Sequence, residues 1–263
     1  MMNVECTFTG TGGVDVVEQA EMVRDAIRKG YDGIALNIID AEAFDLVAQE
    51  ALDAGIPLVA FNVDDAATPN VRLSSVNQQF YEAGKTLGKE AAKHMENGCH
   101  ILMTMHDEGV SALDDRLRGE QDGLREAGLS EVHWKVLITG SMAKAASEVI
   151  SRELKSDPSI KFVLCTGQAD TEGAGLAIGK QFAGQGYYAA GFDLCTGILQ
   201  SIREGNLAFT IDQQPYIQGF YPVMQLALLI RYGIKPGNID AGAAIIDKSN
   251  IEEVEQLTME GYR

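Results

Sequence analysis

Single polar residues follow several apolar segments of this sequence, and their types suit hydrogen bonding better than bond breaking. In an open α/β sheet, ligands bind beyond the carboxyl ends of the strands, where such residues converge. Carboxylates and amides exchange hydrogen bonds with paired hydroxyls, and an arginine fork bridges neighbouring oxygens. The set pairs no nucleophile with a base, so it favours recognition of a hydroxyl-rich ligand. Its members are Asn37, Asn62, His106, Gln168, Asp193 and Gln213, with Arg116 at the start of the helix after His106.

Two glycine motifs resemble the sequence patterns of nucleotide-binding loops, but each lacks a residue that its pattern requires. After Gly10-Thr11-Gly12-Gly13, the position that needs a third glycine holds Asp15, whose charge would face a pyrophosphate. Gly84-Lys85-Thr86 lacks the required glycine at position 79 and lies inside a predicted helix. We therefore predict strand-to-helix turns or helix interior here, and no nucleotide cofactor.

The histidines and cysteines predict no metal site. The four histidines form neither an HExxH motif nor an i,i+4 pair, and the four cysteines lack CxxC spacing. The sequence also contains no Gly-x-Ser-x-Gly elbow from which a hydrolase triad could be built. We expect no cofactor, no metal and no catalytic residue.

Strand and helix patterns alternate along the whole chain. Residues 4–9 have the pattern of a strand, Asp15 and Glu18 that of a helix start, and Gly30 that of a helix end. Residues 31–37 follow as a short apolar strand, and the alternation continues to a last strand over 243–246 and a helix over 250–258. This rhythm predicts parallel α/β architecture with helices on both faces. Two such sheets, or a barrel of eight units, fit the number of repeats.

Composition and charge exclude several classes of partner. The chain has 263 residues, and its 38 acidic against 21 basic residues give a net charge of −17. An acidic chain is a poor ligand for nucleic acid or an anionic membrane surface. No apolar run approaches 18 residues, and the first residues lack the pattern of a signal peptide.

Five sequence fragments, in order and at matching spacing, carry a resemblance to a known family. The chain resembles the type I periplasmic sugar-binding proteins, the ribose-binding-protein family of ABC transporter receptors. The fragments are residues 19–23 with 30–35, Ala54-Gly55-Ile56-Pro57 with the strand to Asn62, Arg116-Leu117-Arg118-Gly119, Ala190-Gly191-Phe192-Asp193, and Asp212-Gln213-Gln214-Pro215 with the residues to Gly219.

The resemblance implies an α/β fold of two doubly wound parallel-sheet lobes joined by a three-stranded hinge, with a sugar held between the lobes. The implied lobes are 1–75 plus 214–241 and 76–213 plus 242–263. It implies a binding protein that delivers a monosaccharide or related polyol to an ABC-type membrane permease. The acidic charge and the lack of a long apolar run add the expectation of no nucleic-acid partner and no direct membrane insertion. The place of action would be the periplasm or the extracellular surface, if the full-length form carries a signal.

The resemblance also implies ligand contacts at Asn62, Arg116, Asp193 and Gln213, with Phe192 as an apolar wall for a sugar face. Ala169 stands where many relatives have a ligand-binding asparagine, so Gln168 is expected to substitute for it.

Two departures from the family pattern bear on these expectations. Asn62-Val63 replaces the Asp-Arg pair of many relatives, which predicts recognition of a hydroxyl pattern other than that of ribose. The chain also begins at the family's second strand, without its first strand and helix. For this reason we expect a shifted or partnered first sheet.

Three alternatives remain open at the level of sequence. A signal receptor or chemoreceptor of the same fold would share every fragment. A repressor effector domain would need a helix-turn-helix ahead of the core. A sugar isomerase or aldolase in a barrel would want a lysine or metal-binding carboxylates at strand ends.

Overall fold

The computed structural model describes residues 3–13, 15–40, 42–64 and 70–263. The chain divides into two compact units. The first consists of residues 1–78 and 214–241, and the second of residues 79–213 and 242–263.

Helices and strands alternate through most of the chain. The helices are α1 (Val16–Lys29), α2 (Asp45–Asp53), α3 (Phe80–Ala92), α4 (Ser111–Glu126), α5 (Ala143–Ser156), α6 (Gln168–Ala177), α7 (Thr196–Glu204), α8 (Pro215–Tyr232) and α9 (Ile251–Met259). A π-helical turn, Ile178–Phe182, continues α6. The strands are β1 (Ile34–Leu36), β2 (Leu58–Asn62), β3 (Ser75–Asn77), β4 (His100–Met105), β5 (His133–Ile138), β6 (Ile160–Cys165), β7 (Tyr188–Phe192), β8 (Phe209–Asp212), β9 (Ile239–Asp240) and β10 (Ala244–Asp247).

The first unit is built on a parallel sheet in which the described strands have the order β1-β2-β3-β9. Its core joins the apolar faces of α1 and α2 to β1 and β2, with Phe44 fully buried at the centre. The expected start and end of α1 are confirmed. The Asp15 side chain accepts a hydrogen bond from the Glu18 amide (2.9 Å), and Gly30 ends the helix with φ at 71°.

The predicted strand over residues 4–9 is wrong. Residues 3–11 form no helix or strand and belong to no sheet of the described chain, and Phe8 is 90% exposed. A strand requires a neighbour to pair with its amides and carbonyls, and β1 is paired in the described chain only with β2. The pattern in the sequence is that of a strand, but the pairing that would complete it is missing here.

The second unit contains the larger sheet, whose described strands have the order β10-β8-β7-β6-β4-β5. All neighbouring pairs are parallel except β10 with β8, which is antiparallel. Apolar residues cover both faces of this sheet, as expected for a parallel sheet between two layers of helices. The two open sheets confirm the doubly wound α/β architecture, and they exclude the barrel alternative.

Helices α3 and α4 approach each other through glycine. A Cβ atom at Gly84 would collide with the backbone of Arg116, and one at Gly88 would collide with the backbone of Glu120. Gly119 and Gly123 make equally close approaches from α4 to the backbone of α3. Glycine at these four positions therefore allows the close approach of α4 to α3, which determines where the backbone of Arg116 lies.

Candidate functional site

The carboxyl ends of four adjacent strands of the larger sheet carry most of the predicted polar residues. Strands β8, β7, β6 and β4 are neighbours and run in the same direction. The segments after them carry, in that order, Gln213, Asp193, Gln168 and His106. The parallel topology thus brings together side chains that lie up to 107 positions apart in the sequence (213 − 106).

Arg116 is the buried cation of this group, with only 4% of its surface exposed. Its Nη1 donates a hydrogen bond to the Thr166 carbonyl (2.9 Å), and its Nη2 donates one to Gln213 Oε1 (3.2 Å). The guanidinium carbon lies 4.1 Å from the centroid of the Phe192 ring and 5.1 Å from that of Phe80. Burial lowers the pKa of the guanidinium, whereas the nearby carboxylates of Asp193 and Asp170 raise it. Arginine remains charged under such conditions, so a fixed positive fork is presented at this edge.

Asp193 supplies the carboxylate next to this cation. Gln213 Nε2 donates a hydrogen bond to Asp193 Oδ1, which links Arg116, Gln213 and Asp193 in one chain of contacts. The backbone of Asp193 is in the left-handed region (φ 76°). Its amide N–H donates a hydrogen bond to the Ile211 carbonyl (2.9 Å), which holds this conformation. Residues other than glycine adopt this conformation at a cost, and such positions cluster at functional sites.

Asn62 and Gln214 share this conformation. Their φ angles are 59° and 51°. Asn62 ends β2, and Gln214 precedes the first residue of α8. Among the described residues, the non-glycine positions with positive φ are Asn3, Asn62, Asp193 and Gln214. Two of them, Asn62 and Asp193, are among the polar residues that the sequence places directly after apolar runs.

The loop between β6 and α6 is fixed by the buried carboxyl of Asp170. Thr166 and Gly167 donate backbone hydrogen bonds to its two oxygens (2.9 and 3.0 Å), and Thr104 Oγ1 donates a third (2.9 Å). Burial raises the pKa of Asp170 to about 7. Because Arg116 is bonded to the carbonyl of Thr166, this carboxyl sets the position of the arginine indirectly.

A cavity of about 320 Å³ lies beside the chain of contacts in the second unit. Polar side chains dominate its wall, and Asp193 is common to the cavity and to the hydrogen-bonded chain. Acceptors on Asp193 and Glu172, with donors and acceptors on the amide and hydroxyl groups, match a ligand rich in hydroxyls. The lining residues are His106, Ser141, Ala143, Gln168, Ala169, Glu172 and Asp193.

Three of the sequence candidates have other placements. Asn62 is half-buried at the end of β2 and belongs to the first unit. Asn37, also in the first unit, accepts a hydrogen bond from the Val63 amide (3.1 Å). The Phe192 ring is fully buried beneath the Arg116 guanidinium, so its observed contact is with the arginine. The sugar contacts expected of Asn62 and Phe192 stay predictions.

Sequence reasoning missed Glu172 and Asp170. Glu172 lies one helical turn after Gln168, and the i,i+4 spacing places the two on one face of α6. Gly167 is the N-cap of the same helix, and Asp170 is its N3 residue, whose side chain accepts a hydrogen bond from the N-cap amide. Both signals are present in the sequence, but neither residue follows an apolar run directly.

The described part of the chain shows no group of three or more histidine, cysteine, aspartate or glutamate side chains arranged to hold a metal ion. Within the same residues, no helix is both long enough and apolar enough to cross a membrane.

Comparison with known proteins assigns the chain to a family. A family model described as a periplasmic binding protein domain matches residues 1–235. The chain is 30% identical over 269 residues to the xylose/arabinose-binding protein XylF of Sulfolobus acidocaldarius, covering 95% of this chain and 65% of that protein. It is 25% identical over 236 residues to the D-ribose/D-allose-binding protein of Pseudomonas aeruginosa, covering 84% and 70%.

The fold has close counterparts among solved structures. A carbohydrate transporter protein of Acidothermus cellulolyticus, in complex with myo-inositol, superimposes with a TM-score of 0.83 at 30% identity, over 95% of this chain and 85% of that one. A solute-binding protein of Burkholderia graminis superimposes with a TM-score of 0.82 at 20% identity, over 90% and 82%.

Proposed function

The chain belongs to the periplasmic binding protein domain family, and from this premise we propose that it binds a monosaccharide or related polyol. The observation that carries the proposal is the row of polar side chains at the ends of β8, β7, β6 and β4, with Arg116 buried beside it. These groups hydrogen-bond hydroxyls from fixed positions, and none of the contacts described calls for a change in covalent bonds. The protein accordingly acts by binding its ligand and releasing it unchanged.

The ligand that we propose is a neutral pentose, hexose or compact polyol. The relatives named above bind xylose and arabinose, ribose and allose, and, in one solved structure, myo-inositol. All are neutral and carry hydroxyls on most of their carbons. A site that combines an arginine fork, carboxylates and amides presents donors and acceptors to adjacent hydroxyls, which is what such ligands require.

The partner that receives the sugar is the permease of an ABC transporter, and the protein acts outside the cytoplasm. Homology to solute-binding proteins supports both parts of this proposal. The chain covers 65% of the length of the xylose/arabinose-binding protein, so the partner and place of action of that protein are carried over here only as proposals.

Thermal unfolding against a panel of pentoses, hexoses and polyols tests the proposal. A ligand at 100 times its Kd adds about 2.7 kcal/mol to the stability of the folded state. For a chain of this size that corresponds to a rise in Tm of about 5–10 °C. We expect such a rise with one sugar or a small group of related sugars. Chromatography of the sugar after incubation should recover it unchanged, whereas an isomerase or aldolase would convert it.

No rise with any member of the panel, in a protein that still melts cooperatively, would contradict the proposal. Conversion of the sugar would contradict its non-catalytic part alone.

A further inference from the structure

The imidazole of His106 lines the same cavity as Gln168 and Asp193, yet it takes part in none of the hydrogen bonds that link Arg116, Gln213 and Asp193. Its Nδ1 atom is buried and has no hydrogen-bond partner among the residues that the structure describes. Buried polar atoms are nearly always hydrogen-bonded to protein or to something bound by it. The unpaired nitrogen therefore points to a partner supplied from outside the chain.

The neighbouring loop leaves space for this ring. A Cβ atom at Gly167 would lie 2.8 Å from His106 Cδ2 and 3.3 Å from His106 Nε2, too close for an unshifted contact. The backbone of Gly167 is extended (φ −148°, ψ −179°), a conformation open to any residue. A side chain at position 167 would therefore have to displace the imidazole, whereas the backbone here is open to any residue.

Charged groups surround the ring on several elements. Asp107 follows it in the chain, Asp193 follows β7, Arg116 comes from α4, and Glu172 of α6 lines the same cavity. Asp170, also on α6, lies against Gly167 next to the ring. Burial is the largest influence and lowers the pKa of His106 below its ordinary value. The imidazole is accordingly neutral at pH 7, with one nitrogen as donor and the other as acceptor.

Resting on the proposed function, we infer that His106 is a specificity-determining residue that exchanges a hydrogen bond with one hydroxyl of the bound sugar. Arginine can only donate and an ionised carboxylate can only accept, whereas neutral imidazole offers one of each. His106 would add discrimination at one hydroxyl position that the arginine and carboxylate do not reach. A sugar that lacks this hydroxyl leaves the imidazole unpaired, and loss of such a partner is strongly disfavoured in a buried site.

Titration calorimetry on the full chain tests the inference with His106→Phe, which fills the ring volume without polar atoms. The ligands are the sugar that the wild type binds and its monodeoxy analogues, one for each hydroxyl. We expect the variant to bind the parent sugar about 10- to 100-fold more weakly, as for loss of one buried hydrogen bond. With one deoxy analogue, and one only, wild type and variant should bind equally.

Two further variants keep the result interpretable. His106→Asn retains a polar atom near the position of Nδ1, and it is the substitute if His106→Phe does not fold. It should restore part of the affinity for the parent sugar. His94→Phe is the control, because His94 stacks on Tyr188 (ring centroids 4.8 Å apart) and does not line the cavity. It should leave affinity unchanged.

Equal loss of affinity for the parent sugar and for every deoxy analogue would show a structural effect and overturn the inference. Unchanged affinity in His106→Phe would overturn it as well, while the proposed function would stand. Failure of the wild type to bind any sugar would overturn the proposed function, and the inference with it.

Discussion

At the scale of single residues, Glu120 is a buried carboxyl one turn after Arg116 on α4. It is fully buried, and neither of its oxygens has a hydrogen-bond partner among the described residues. Burial raises the pKa of Glu120 well above its ordinary value, Asp170 raises it further, and Arg116 opposes the shift. As pH rises, the carboxyl of Glu120 therefore loses its proton at a lower pH in the unfolded chain than in the folded protein.

This difference predicts a pH dependence of stability with a defined sign. Because the pKa is raised in the folded state, the stability that neutral Glu120 contributes is complete below about pH 4.5 and is lost as pH rises toward the folded pKa. Glu120→Gln cannot ionise, so it should become more stable than the wild type by up to about 1.4 kcal/mol per pH unit in this window. Urea unfolding followed by circular dichroism between pH 4.5 and 8 measures the difference.

Glu126→Gln is the matched control on the same helix. Glu126 is exposed, and hydrogen bonds from Lys85 and Lys89 lower its pKa, so the sign is reversed. Its replacement should bring no gain in stability at alkaline pH. If the curves of Glu120→Gln and wild type ran parallel from pH 4.5 to 8, the assignment of a neutral buried acid would be wrong.

Asp170 carries the second residue-scale prediction. Its two oxygens accept three hydrogen bonds, whereas an asparagine would place an NH₂ group against at least one of the donors. Because burial raises the pKa of Asp170 to about 7, the stability of the wild type falls as pH rises from about 4 toward 7, and that of an asparagine variant does not. Asp170→Asn should therefore lose about 1–3 kcal/mol of stability near pH 4, and less as pH rises. It should also weaken sugar binding, since the Thr166 carbonyl that holds Arg116 loses its anchor. Chemical denaturation and titration calorimetry measure the two effects.

Asp40→Asn provides the comparison. One oxygen of Asp40 accepts from both the Glu42 and the Ala43 amides (3.0 and 2.8 Å), and an asparagine oxygen can do the same. This variant should stay within about 0.5 kcal/mol of the wild type. A loss at Asp170 no greater than at Asp40 would remove the argument for a fixed loop.

Sequence alone could identify strand-end residues but not the contacts behind them. Gln168, Asp193 and Gln213 follow apolar runs, and a parallel sheet must bring such positions to one edge. The role of Asp170 depends on a loop conformation that propensity does not encode, since one of its hydrogen bonds comes from Thr104 in β4, 66 residues earlier in the chain. Glu172 lines the cavity because of the direction in which α6 runs, and the sequence does not give that direction.

At the scale of elements, the packing of α3 on α4 determines where Arg116 lies. Gly84 faces the Arg116 backbone so closely that a methyl group would force the helices apart. Gly84→Ala should therefore destabilise the protein by about 1–3 kcal/mol, although alanine is the better helix former. It should weaken sugar binding too, because the displaced backbone is that of Arg116. Thermal unfolding and calorimetry measure these effects.

Gly219→Ala is the control for the glycine prediction. Gly219 is exposed within α8, and no atom lies within 4 Å of the position its Cβ would take. That substitution should be neutral or stabilising by up to about 1 kcal/mol. Equal effects at the two sites would indicate that helix propensity, and not close packing, sets the response at Gly84.

Helix ends agree with the sequence prediction, whereas strand pairing does not follow from the local sequence pattern. The caps of α1 are as the sequence predicts, because capping depends on residues within one turn. Residues 4–9 have a strand pattern but no pairing partner in the described chain. Strand β10 follows the return of the chain to the second unit, and it pairs antiparallel with β8 at the edge of the sheet. Pairing is a non-local property, and periodicity cannot determine it.

At the scale of the whole molecule, the fold class was predictable because alternation of strands and helices persists over the entire chain. The division into two units depends on where the chain changes units, near residues 78, 213 and 241. No composition shift or linker marks these positions in the sequence; the resemblance suggested lobes, and the sheet assignments come from the structure.

Titration calorimetry shows whether Arg116 and its hydrogen-bonded neighbours bind a sugar. The ligands are xylose, arabinose, ribose, allose and myo-inositol, and the proteins are the wild type, Arg116→Lys and Arg118→Lys. Lysine cannot bridge Thr166 and Gln213 while stacking on Phe192, whereas Arg118 is exposed and paired with Asp115.

We expect one-to-one binding of at least one of these sugars by the wild type. Affinity should fall at least about 10-fold in Arg116→Lys, since two buried hydrogen bonds to a charged group are disturbed, and should be unchanged in Arg118→Lys. Absence of binding to every sugar, or equal affinities in wild type and Arg116→Lys, would contradict a sugar site at Arg116.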